Sequence, residues 1–294
     1  MGILFSRIIF PAPHTYQRRG GAVQMSDQWV HATWLDGETG EAIPILQLDT
    51  HMRDAIPVVC ISRPHSPLVL LYSHGNGEDL SQCYDWCCTL SRRFNATVYA
   101  YDYSGYGVNK SRPSEHKVFM NIEAVYKHIC KRHSERDIII YGRSLGTAPS
   151  IHAASVFPKS RGLILESAFK SIFTTVLTFF NHIPGDMFEN SVHLKQCTVP
   201  TLFIHGTKDQ VVPFQHGVEL SQQCKNKWGE LWLQGAGHND IDSNPLYRNE
   251  MFQKISFFLH AIAPSNFENY AGLGLGLGRL KQLGTLRNRK IITH

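Results

Sequence analysis

The chain has 294 residues, 43% hydrophobic and 18% charged, a balance that allows one large buried core and excludes a disordered or fibrous chain. No apolar run reaches the roughly 18 residues that a membrane-spanning helix needs. The net charge of +5 sits at the ends: Arg7, Arg18 and Arg19, then Arg279, Lys281, Arg287, Arg289 and Lys290, leave 21 basic against 24 acidic residues between them. No nucleic-acid module lies between those ends, which argues against DNA or RNA as a partner.

The seven cysteines are odd in number and scattered, and Cys83-x-x-x-Cys87-Cys88 has no matching His or Cys pair at metal-ligand spacing. They read as reduced thiols of a cytosolic protein rather than a disulfide framework.

Taken in order, the chain opens with Met1-Gly2-Ile3-Leu4-Phe5-Ser6, which fits the N-myristoylation pattern with Gly2 as acceptor. Residues 1–27 are therefore expected to associate with a membrane. One acyl chain anchors only marginally, and basic residues add about 1 kcal/mol each at an anionic surface. The basic ends could supply this.

Gln28 to Leu35, Ile43 to Leu48 and Ile56 to Ile61 read as the antiparallel start of a sheet. Leu68 to Ser73 is a continuous apolar run, as expected of a strand buried on both faces. His74-Gly-Asn-Gly-Glu-Asp79 follows, then a helix from Leu80 to Phe94. Thr97 to Tyr101 is another buried strand, and Ser114 to His133 a helix. Asp137 to Tyr141, Leu163 to Glu166, Thr201 to His205 and Glu230 to Leu233 are the later strands, and Pro245 to Ala263 the closing helix. Alternation of this kind predicts an α/β fold, a mostly parallel doubly wound sheet of about eight strands. Ligands of such sheets bind beyond the carboxyl ends of the strands.

Residues 167–198 interrupt the alternation and are rich in phenylalanine, as expected of either a cap-like insertion or a core-packing helix. Phe169, Phe173 and Tyr106 are the candidate pocket residues. The domain is expected over residues 28–263. Residues 264–294, with alternating Gly and Leu before the basic tail, are expected to be disordered. No strand precedes those glycines, so they do not form a nucleotide loop.

Gly142-Arg-Ser-Leu-Gly146 stands between a strand and a helix, which is the setting of a nucleophile elbow with Ser144 at its apex. A serine nucleophile needs a base, and the base an orienting carboxylate. Asp209 follows the strand at Thr201–His205, and His238 lies in a glycine-flanked loop after the next strand. The order Ser144, Asp209, His238 is that of the α/β-hydrolase elbow. Asp240 or Asp242 could replace Asp209, and His205 reads as structural. The expected oxyanion donors are the amides of Leu145 and Asn76. Gly75 and Gly77 let that loop approach, and His74 is expected to brace it. No metal or organic cofactor is implied.

Five segments then occur in order: Leu71 to Asn76, Tyr101 to Gly107, Tyr141 to Gly146, Phe203 to Asp209 and Gly235 to Asp240. Together they resemble the α/β-hydrolase domain-containing family, nearest its membrane-associated depalmitoylating branch, and the related serine peptidase-like hydrolases of the prolyl-oligopeptidase clan. The resemblance covers about residues 55–263. It implies an α/β-hydrolase fold and a serine hydrolase that cleaves acyl esters or thioesters through an acyl-enzyme, with palmitoylated protein as substrate at the cytoplasmic face of a membrane. The alternatives are a serine peptidase, a monoacylglycerol-type lipase, or an idle membrane adaptor. Two departures stand out. The N-terminal cysteine cluster of that branch is replaced by Gly2, and Arg143 stands where glutamine is usual.

Overall fold

The computed structural model describes residues 32–35, 42–49, 55–109, 111–176 and 186–262, with the side chains of Phe173 and Val176 and of the first two strands left aside. The chain divides into residues 1–262 and 263–294, and every described residue lies in the first unit. The expected N-terminal anchor with Gly2 and the Gly/Leu-rich tail lie outside the described residues.

The strands are β1 (Ala32–Leu35), β2 (Ala42–Asp49), β3 (Ala55–Ile61), β4 (Val69–Ser73), β5 (Thr97–Tyr101), β6 (Ile138–Arg143), β7 (Gly162–Glu166), β8 (Thr201–Gly206) and β9 (Lys227–Leu233). Among the described residues these nine form one sheet, ordered β1-β2-β3-β5-β4-β6-β7-β8-β9. The first three pair antiparallel, and β3 joins β5 antiparallel. From β5 to β9 every pairing is parallel. The sheet thus has one strand more than the eight expected.

Burial explains the composition of the centre. Every residue of β4, β5, β6, β7 and β8 is buried, so these strands read as unbroken apolar runs rather than alternating ones. Each aliphatic side chain buried there contributes about 1.5–3 kcal/mol.

Helices cross between the strands: α1 (Leu80–Phe94), α2 (Glu115–Ile129), α3 (Thr147–Val156), α4 (Ile172–Val176), α5 (Asn190–Leu194), α6 (Phe214–Gln223), α7 (Asp240–Ser243) and α8 (Pro245–Ile262). Helix α1 begins where Asp79 accepts from the amides of Ser81 and Gln82. It ends where Asn95 turns left-handed, with Arg92 and Arg93 in the last turn. Helix α2 starts on a Ser114 cap and stops at Ile129, short of the expected His133. Past Ile129 the amide of Lys131 turns back to the His128 carbonyl, three residues away, and tightens the chain out of the helix.

The described parts of the 167–198 segment pack on the body. Phe188 is fully buried, its ring set edge-on to Phe119 of α2, and its amide donates to Glu115 at 2.7 Å. Residues 177–185 lie outside the described residues. Among the described residues no helix is long and apolar enough to cross a membrane. All seven cysteines are free thiols.

Candidate active site

Register alone brings the interesting loops to one edge. Ser73 pairs with Gly142, Arg143 with Glu166, and Gly206 with Leu233, so the chain leaves β4, β6, β7, β8 and β9 at the same end of the sheet. The Gly-rich loop, the turn carrying Ser144 and the segments carrying Asp209 and His238 all begin there.

The turn after β6 is built by exclusion of side chains. A Cβ on Gly142 would run into the Gly146 carbonyl and meet Ser150 Oγ at 2.6 Å. One on Gly146 would run into the Ser73 carbonyl and meet the His74 carbonyl at 2.7 Å. Both positions are glycine because backbone passes where a side chain would stand. Between them Ser144 adopts a left-handed backbone, φ 51°. An L-residue reaches that region at a cost of about 1–2 kcal/mol. The strain points Oγ out of the turn while α3 starts beneath it, its N-terminal end favouring negative charge nearby.

The fold brings Ser144, His238 and Asp209 together. His238 Nδ1 lies 2.7 Å from Asp209 Oδ2, and its Nε2 lies 3.1 Å from Ser144 Oγ. A carboxylate can only accept, so Nδ1 carries the proton and Nε2 presents a lone pair to the hydroxyl. Burial opposes charge on Asp209, but hydrogen bonds from His205 and His238 and from the Val212 amide outweigh it. They hold its carboxyl well below the usual range. Its second oxygen accepts from the amides of Val211 and Val212 at 2.9 and 2.8 Å. Neither Asp240 nor Asp242 takes this place, because His238 Nδ1 is on Asp209; Asp240 accepts instead from the Gly237 amide at 2.7 Å within its own loop.

His205 is 1% exposed; its Nε2 donates to the Val212 carbonyl at 3.0 Å and faces Asp209 Oδ2 at 3.3 Å. It braces the acid.

The loop after β4 rests on a second histidine. His74 is wholly buried; Nδ1 donates to the Gly75 carbonyl at 2.9 Å and Nε2 faces Asp102 Oδ1 at 3.4 Å. Tyr103 donates to the His74 carbonyl at 2.6 Å. Burial lowers the pKa of His74, but Asp102, then Glu78 and the Gly75 carbonyl, overcome it and raise it. Gly77 turns the loop at φ 76°, leaving Asn76 exposed at the rim. Leu145 is buried directly behind Ser144.

Two expected pocket residues are placed otherwise. Phe169 is 2% exposed and packs edge-on to Phe188, and Tyr106 is fully buried with its hydroxyl donating to Asn76 Oδ1 at 2.6 Å. Both rings are packed into the body of the domain. The Phe173 side chain lies outside the described residues.

A cluster not foreseen in the sequence surrounds Arg143. Its Nη1 donates to Glu78 Oε1, its Nη2 to Asn239 Oδ1 at 2.9 Å, and its Nε faces Glu166 Oε1 at 3.4 Å. The identity of position 143 was a visible departure, but its partners lie 65 and 96 residues away. No local pattern links them. Among the described residues no His, Cys, Asp and Glu cluster is suited to a metal ion.

The family model described as serine aminopeptidase, S33, matches residues 64–192. Alpha/beta hydrolase domain-containing protein 17B of Homo sapiens is 36% identical over 196 residues, covering 66% of this chain and 68% of that protein. The chain belongs to the α/β-hydrolase domain-containing family. Alpha/beta hydrolase domain-containing protein 17C of Mus musculus is 35% identical over 66% of this chain and 61% of its own length. The aligned stretch thus spans roughly two thirds of these relatives or somewhat less. At the level of fold, the esterase domain of a Rhodothermus marinus protein superposes with a TM-score of 0.58 at 15% identity, covering 75% of this chain and all of that one. The α/β-hydrolase fold read from the strand order is therefore shared with a solved esterase domain.

Proposed function

We propose that this member of the family is a serine hydrolase working through an acyl-enzyme, with long-chain acyl esters or thioesters as substrates. The observation that carries the chemistry is the continuous path from Ser144 Oγ through His238 to Asp209 at 3.1 and 2.7 Å. Ser144 Oγ bonds to the acyl carbon while His238 Nε2 takes its proton, and the carbonyl electron pair moves onto oxygen. The amides of Leu145 and Asn76 are assigned to receive that oxyanion. Collapse expels the thiolate or alkoxide, which leaves with the proton from Nε2. Water then repeats the steps and frees the acid and Ser144. Asp209 stays ionised throughout and stabilises the imidazolium.

The choice of acyl substrates draws on the five motifs that resemble the depalmitoylating branch. Val211 and Leu246, 55% and 77% exposed, add apolar surface to the segments that leave Asp209 and His238. Protein-bound palmitate at the cytoplasmic face of a membrane is the substrate and place we assign. Gly2 is the assigned lipid acceptor, and Gly2→Ala is expected to move the chain from membrane to soluble fractions. The description of the matching family model favours one second reading, a peptidase.

The test is labelling by a fluorophosphonate, followed by comparison of a palmitoyl thioester, a monoacylglycerol and a peptide amide. Wild type labels and Ser144→Ala does not, and the thioester is turned over fastest. Labelling that survives Ser144→Ala removes the serine mechanism. Faster cleavage of the peptide amide moves the assignment to a peptidase.

A further inference from the structure

Arg143 is an unusual neighbour for a nucleophile. It directly precedes Ser144, is 6% exposed, and carries a guanidinium whose three sides all meet protein. Nη1 meets Glu78 Oε1, and the other oxygen of Glu78 accepts from the Gly75 amide at 3.0 Å. That side therefore holds the backbone of the loop that carries Asn76. Nη2 donates to Asn239, the residue after His238. Nε faces Glu166 at the end of β7, and Glu166 in turn accepts from the Tyr141 hydroxyl at 2.5 Å. A Cβ on Gly75 would come within 3.1 Å of Nη1, a tight contact that shows how closely the loop lies on the guanidinium.

We propose that Arg143 is a positioning residue that sets the oxyanion loop and the histidine loop against Ser144, an inference that rests on the serine-hydrolase reading. A planar fork delivers its donors in fixed directions, so two loops held by one guanidinium hold a fixed spacing from each other. Lysine is a point donor and cannot grip both. The guanidinium is nearly buried and turned to Glu78, Asn239 and Glu166, so its effect is expected on the rate of the bound complex and not on binding. Displacement of reacting groups by about 1 Å costs on the order of 10²-fold. Burial works against the charge, but Glu78 and Glu166 outweigh it and raise the Arg143 pKa, so the fork stays protonated.

The experiment uses the full chain with a short-chain p-nitrophenyl ester, and thermal melting to verify folding. Arg143→Lys keeps charge without the fork. Glu78→Gln keeps size but offers one oxygen to two donors. Each is expected to lower kcat by roughly 10- to 100-fold with KM within about twofold. The double variant is expected to be no worse than the poorer single one, as for groups acting as a unit. Asn239→Ala removes an exposed acceptor and leaves Arg143 paired with both carboxylates, so it decides the matter where the other variants fail to fold; kcat is expected to fall several-fold at unchanged KM. A raised KM at constant kcat makes Arg143 a substrate contact and overturns the inference. So do additive losses, or unaltered kcat in the folded variants. A folded wild type that neither labels with fluorophosphonate nor turns over the ester removes the hydrolase reading, and this inference with it.

Discussion

Of the histidine–aspartate contacts at the carboxyl ends of the parallel strands, His238 with Asp209 and His74 with Asp102 differ in their surroundings. His238 and Asp209 meet at 2.7 Å, with the far nitrogen of the ring on the Ser144 hydroxyl. His74 and Asp102 meet at 3.4 Å with both side chains wholly buried, and the far nitrogen is spent on the adjacent Gly75 carbonyl. The side-chain types are the same. What separates them is the partner of the second nitrogen, a hydroxyl that can give up a proton in one case and a backbone carbonyl that cannot in the other. A buried His–Asp pair near a candidate site is thus as readily a loop brace as a base with its orienting acid.

The comparison can be broken in several places. The largest effect is expected for His238→Ala, a fall in kcat of roughly 10⁶-fold if the ring is the base, because removing one member of such a unit costs about as much as removing all. His74→Gln is the matched comparison and should cost far less than His238→Ala, roughly 10- to 100-fold through displacement of the loop it braces, as read with the same ester. Asp209→Asn comes next, at roughly 10⁴-fold in kcat, because an amide reverses the preferred tautomer of the ring. Asp102→Asn acts on the other pair: denaturant unfolding should show a loss of about 3 kcal/mol, from a buried histidine left without its counter-charge. Its turnover, once folded, should fall by far less than that of Asp209→Asn.

The smallest effect is on pH dependence. The folded pKa of His74 is raised above its ordinary 6.5. Its contribution to stability is therefore complete below the unfolded value and is lost as pH rises through the folded one. Melting temperature should show this downward slope on the alkaline side of 6.5 in wild type and lose it in Asp102→Asn. An identical slope in both would separate His74 from Asp102 as a working pair.

The outline of this arrangement was legible in the chain. Runs such as Ile138 to Tyr141 announce strands buried on both faces, and Gly142 and Gly146 announce the turn because they record where backbones touch. Serine, acid and histidine were legible because each follows its own strand in a fixed order. Boundaries drifted where the local signal was weak: β9 begins at Lys227 rather than Glu230, since an exposed Lys227 and then Gly229 give no apolar run. The burial of Phe169 and Tyr106 was not legible, because side-chain direction is set by the packed structure and not by the local sequence. The contacts of Arg143 were the least legible. They depend on a side chain reaching residues 65 and 96 positions away, and only tertiary structure sets that reach.

The left-handed backbone of Ser144 carries a consequence for how this protein ages and evolves. The chain holds this serine against its own conformational preference, at a cost that glycine at the same position would largely escape. Ser144→Gly should therefore melt at a higher temperature than wild type, by the equivalent of about 1 kcal/mol. On the proposed mechanism, selection for heat resistance alone would lead towards a sturdier but inert protein, and only demand for turnover would keep the hydroxyl in place.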